Sequence, residues 1–195
     1  MRSTLVAVVV LSVLLSACSR PASGPSGAAA SGPSADLGRP LPSPLPDVVA
    51  RVNGQPIGIR QILPLAKTEL DTVSVADRDR VKPEVVRRAL RKYVDRELLL
   101  QEALARGVEV ESREVDWAYD QMRREHADEA SWTQFLAGQG LDLQSFRAEL
   151  RAQHLVAALL EQERQASRAA GGDAEAAEAA LLGRLRAKAR IELLL

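Results

Sequence analysis

Cysteine is nearly missing from this 195-residue chain, occurring once, at Cys18. A disulfide framework and a thiolate metal site each need more than one, so neither is available. Histidine is almost as scarce. His126 and His154 lie on polar helical stretches beside Glu125 and Gln153, without the paired spacing of a zinc site, and read as ordinary helix residues. No Gly-x-Ser-x-Gly elbow and no glycine-rich phosphate loop accompanies them, so hydrolase and nucleotide chemistry lack their starting residues. No metal and no cofactor is expected. An excess of one charge is absent too: Lys plus Arg and Asp plus Glu both number 26, leaving no global field to attract nucleic acid, and no nucleic-acid partner is expected.

Aromatic residues make up only 3% of the chain and are confined to its middle: Tyr93, Trp117, Tyr119, Trp132, Phe135 and Phe146. That segment therefore holds most of the core, most of a binding surface, or both. Charged residues reach 27%, but runs such as "EVESREVD" sit on amphipathic helices, where paired carboxylates form a solvated face. The basic residues Arg78, Arg80, Lys82, Arg87, Arg88, Arg91 and Lys92 are interleaved with Asp77, Asp79 and Glu84 and read the same way.

What the chain does have begins at its N-terminus. "MRSTLVAVVVLSVLLSAC" joins Arg2 to a short apolar run from Leu5 to Leu15 and then small residues. The run is too short for a stable transmembrane helix and fits a signal peptide over residues 1–17. Leu15-Ser16-Ala17-Cys18 resembles a bacterial lipobox, which implies cleavage between Ala17 and Cys18 and lipidation of the cysteine, with palmitate among the acyl chains. Several acyl chains anchor a protein firmly without spanning the bilayer. Ser19, in place of aspartate, is similar to the sorting signal of Gram-negative lipoproteins bound for the outer membrane. Residues 18–46 carry seven of the ten prolines and no apolar periodicity, so they are expected to be a disordered tether averaging roughly 30 Å end to end.

The folded domain is expected over residues 47–195. Val48, Ala50 and Val52 alternate as a strand, "NG" at Asn53-Gly54 offers a tight turn, and Pro56 keeps the returning segment at an edge. The partner of this first strand is therefore sought elsewhere. Helical patterns follow: a short one from Gly58 to about Leu70 containing Pro64, and a long one starting at Pro83, with Val86, Leu90, Tyr93, Val94 and Leu98 on one face and Gly107 as its stop. Ser112 is read as the cap of a helix with Val115, Tyr119 and Met122 on one face, and Ser131 as the cap of a short helix ended by Gly138 and Gly140. Asp142 opens a long helix to about Gln165, with Phe146, Leu150 and Ala157 on one stripe, and Asp173 caps a last helix to about Ala189. The closing "IELLL" alternates as a strand over about 190–195. Pairing it with residues 48–52 supplies the missing partner and gives a mainly α fold with a small β pairing.

In this order, "VARVNGQPI", "YVDRELLLQEALARGVEVESREVD", "FLAGQGLDLQSFRAELRAQHLVAALLEQE" and the closing "LRAKARIELLL" are similar to the N-terminal domain of the SurA-type periplasmic chaperones and their lipoprotein relatives. That family usually inserts one or more parvulin prolyl-isomerase domains before the closing segment. Such a domain needs on the order of a hundred residues, whereas about ten separate Arg164 from the last helix. The resemblance thus implies a non-catalytic holdase that faces the periplasm and binds unfolded or partly folded envelope and outer-membrane proteins. Trp117, Tyr119, Met122, Trp132 and Phe135 are the candidate client-binding residues, about two of the five being expected at the surface. One alternative is an assembly lipoprotein clasping a single dedicated envelope partner. A second is a peptidyl-prolyl isomerase by family label alone.

Overall fold

The computed structural model describes residues 41–195; the lipobox, Cys18 and the tether as far as residue 40 lie outside the described residues. Strands β1 (Val48–Val52) and β2 (Gln55–Gly58) form a hairpin, followed by helix α1 (Ile59–Leu70) and a single 3-10 turn at Val75–Asp77. Helices α2 (Arg78–Ala105), α3 (Ser112–Arg124), α4 (Glu129–Gly138), α5 (Leu143–Ala169) and α6 (Ala174–Lys188) come next, and strand β3 (Ile191–Leu193) closes the fold.

The sheet runs β2-β1-β3, antiparallel throughout, so the first strand lies at its centre and the last beside it, as the alternation at both ends predicts. The returning segment pairs as well: β1 has two partners, not the single distant one expected. The hairpin turn works because Asn53 and Gly54 both take positive φ, 52° and 87°, the combination a two-residue turn between twisted strands requires.

Pro56 shows how that edge is tolerated. Arg51 exchanges its backbone bonds with Glu192, as do the flanking pairs: Asn53 N–H donates to the Arg190 carbonyl at 2.8 Å, and Leu194 N–H to the Val49 carbonyl at 2.9 Å. The opposed pair Arg51 and Pro56 is therefore a non-hydrogen-bonded one, and the missing N–H of Pro56 points away from β1.

Three helix starts differ from the sequence reading. α2 begins at Arg78, not at Pro83, which sits inside it; Val81 packs on the core, so tertiary contact outweighs the one hydrogen bond Pro83 removes. The cap of α3 is Glu111, with Ser112 already helical. The cap of α4 is Asp128, whose carboxylate accepts from Ser131 N–H at 2.8 Å, and Ser131 is the third-position partner of that box. Asp142 and Asp173 cap α5 and α6 as expected, though α5 runs on to Ala169 and its Ala157 is exposed, the buried stripe following Phe146, Leu150, Val156 and Leu159–Leu160 instead. Arg87, read as part of a solvated face, is buried.

Two cores result. The first joins Val49, Ala50, Val52 and Ile57 of the sheet to Ile59 and Ile62 of α1 and to Val86, Leu90, Val94 and Leu98 of α2. The second joins Leu99 and Ala103 of α2 to Val115 of α3, Trp132 and Leu136 of α4, Phe146 to Leu160 of α5 and Leu181 of α6. α2 is common to both, and Leu185 of α6 packs against both. Arg96 adds a bridge, holding Glu149 of α5 at 2.5 Å from a nearly buried position.

Candidate functional site

Among the described residues the large side chain left most open beside a depression is Trp117, 66% exposed. Its position follows from helix geometry. Val115 and Tyr119 turn α3 toward the second core, and Trp117, two residues from each, is rotated about 200° from them. Around it Arg113, Glu114 and His154 line a shallow depression of about 460 Å³.

Behind this face lies a closely packed aromatic cluster. Trp132 meets Tyr119 at 5.6 Å and Phe146 at 5.2 Å between ring centroids, both edge-on, and stacks on Phe135 at 5.4 Å. His126 covers the outer side, 5.1 Å from Trp132 and 4.7 Å from Phe135. It lies in the turn after α3, not on a helix as its sequence context suggested. The Arg147 guanidinium sits 4.5 Å over the Tyr119 ring and bonds Asp116 at 2.6 Å, tying α5 to α3.

The five candidate residues thus separate. Trp132 is 1% exposed and belongs to the core, which corrects its place in a surface groove: four aromatic rings enclose it. Tyr119, Met122 and Phe135 are half-buried at the margin of that cluster, and Trp117 stands outside it. Sequence reasoning missed Arg113, Glu114 and His154 as neighbours of Trp117. The spacing of Arg113 to Trp117, one helical turn, was a usable signal; the approach of His154 from α5 was not.

Helix caps join the ion pairs in setting the electrostatics at this end of the fold. Backbone donation from Ser131 holds the Asp128 carboxyl below its ordinary value, and backbone donation from Ser145 does the same for Asp142. Near the first core, burial pushes the Tyr93 hydroxyl up, and that oxygen accepts from Gln61 Nε2 at 3.0 Å. Among the described residues no group of three or more His, Cys, Asp or Glu is placed to hold a metal, and no helix is long and apolar enough to cross a membrane.

A family model described as a SurA-like N-terminal domain matches residues 2–160. The chain belongs to this family. No curated protein and no solved structure matches it. The SurA-like match ends within α5, yet the fold is completed beyond it: Leu181 and Leu185 of α6 and Ile191 of β3 are parts of the two cores. Membership places the chain in a chaperone-like family and accounts for its mainly helical architecture.

Proposed function

We propose that this SurA-like chain is a lipid-anchored holdase, tethered through Cys18 to the outer membrane and binding unfolded or partly folded envelope proteins on the periplasmic side. The observation that carries the reading is Trp117, held in the open on α3 with its neighbours spaced around a depression. An exposed tryptophan on a rigid helix offers a large apolar contact at little ordering cost, and half-buried Tyr119, Met122 and Phe135 supply adaptable surface beside the cluster. The reading is also supported by the family match. Catalysis is not part of it: α5 passes to α6 through the short Ala170–Asp173 turn, with no inserted domain between them.

The described residues contain both cores, and the segment Asp36–Leu195, which includes all of them, is the material for the test. An unfolded outer-membrane β-barrel protein is diluted into buffer with this segment while light scattering is followed. Suppression near equimolar ratio, with none from an inert protein of equal size, is expected. Absence of suppression would favour a lipoprotein with one dedicated partner, recoverable as a single stable complex. Turnover of a proline tetrapeptide would revive the isomerase reading; none is expected.

A further inference from the structure

The two edges of the sheet are unlike. On β2 the outward position is Pro56, which has no N–H to offer, and the ladder with β1 shifts between Val48 and Ala50. Both features stop a further strand from adding there. β3 carries neither. Arg190, Glu192 and Leu194 turn their backbone groups toward β1, since the pairs Asn53 with Arg190, Arg51 with Glu192 and Val49 with Leu194 are the bonded ones. By alternation, Ile191, Leu193 and Leu195 turn theirs outward. No proline, lysine or bulge guards this side; its charged pair, Arg190 and Glu192, is closed on itself at 2.7 Å, and exposed leucines flank the edge on both faces. Leu193, 42% exposed, shares a face with Ala50, and Leu194, 46% exposed, lies on the face of Arg51.

We infer that the outer edge of β3 is a second client contact, taking an extended polypeptide segment by strand addition. This rests on the holdase reading and gives it a recognition chemistry. Backbone donors and acceptors recognise any extended chain regardless of sequence, and Leu193 and Leu194 add apolar contact to side chains on either face of the incoming strand. The edge is only three residues long, so the contact is weak and reversible, which suits release of a client. β1 cannot serve instead, being bonded on both sides.

The test uses a labelled synthetic peptide of alternating valine and threonine, and the same peptide bearing backbone N-methyl groups on both of its edges. Binding to Asp36–Leu195 is followed by fluorescence anisotropy. The unmodified peptide is expected to bind at least about tenfold more tightly, because methylation removes the donors and leaves the side chains in place. Leu193→Pro removes an outward N–H and no bond to β1. It is expected to weaken the unmodified peptide by about tenfold or less without unfolding the chain. If that variant does not fold, the methylated peptide still decides. Equal binding of the two peptides, or no binding of either, overturns the edge assignment; if scattering suppression then persists, the holdase reading stands through another surface. Discrimination between the peptides without suppression would keep the edge and remove the holdase reading. A dimer that Leu193→Pro dissociates would assign the edge to a second copy of the chain and overturn the proposal.

Discussion

The two cores meet along α2 but close in different ways. Around the sheet the packing is aliphatic, Val, Ile, Leu and Ala, with Tyr93 only at its margin, and its strands are fixed by backbone hydrogen bonds. Around α3, α4 and α5 the packing is aromatic, and its margin is left partly open at Tyr119, Met122 and Phe135, with Trp117 beyond it. Aliphatic side chains on a pleated surface fill space, and what the sheet is left to offer a partner is the backbone edge of β3. Large rings on short helices bury their centre and leave edges outside. One small domain can therefore divide its labour, with buried rings such as Trp132 holding the fold and the open ring of Trp117 left for the proposed client contact.

The comparison is broken most severely by Trp132→Ala. Losing a fully buried ring from within four others should cost about 3–5 kcal/mol, measured by urea denaturation. Ile62→Ala in the sheet-side core should cost about 2–4 kcal/mol. Because α2 serves both cores, each variant should shift one shared transition. Two separate transitions would mean that the cores fold independently.

Acid sharpens the comparison next. Asp128 and Asp142, which cap the two helices bearing Trp132 and Phe146, have carboxyls held below the ordinary value. A carboxyl whose folded value is depressed contributes stability above its unfolded value, and that contribution is lost as pH falls through the folded one. Tm should therefore drop as pH is lowered past 3.8, the ordinary value for these groups. The pair Asp128→Asn and Asp142→Asn, which keeps the caps without a titrating group, should make that drop shallower. Asp71, lowered by Lys67, Asp77, lowered by Ser74 and Arg80, and Glu161, lowered chiefly by Gln165, would keep the remainder. The smallest effect on stability belongs to Trp117→Ala, within about 0.5 kcal/mol, because the residue is a surface one.

Much of this division was legible before the fold was known. The alternation in "VVARV" and "IELLL" located the central strand and its distant partner, and Asn53-Gly54 located the turn, because side-chain period and positive φ are local requirements. Ser112 and Ser131 misled by less than a turn and Pro83 by more than one: each is a good helix-starting residue, but the contacts of Val81 and the carboxylate of Asp128 decided where the helices begin. The aromatic residues were identifiable as a group, yet which of them is buried was not. Trp117 and Trp132 both lie on short helices, and their fates depend on what α5 and the turn at His126 bring against them. The same holds for Arg87, polar in sequence and buried in the fold.

The central claim is that client recognition sits on a face the fold does not need. Scattering suppression and Tm of Asp36–Leu195 and its Trp117→Ala variant, measured on the same preparations, test it most directly. The account predicts suppression reduced several-fold at unchanged Tm. Unchanged suppression, or a Tm that falls as suppression does, would contradict it.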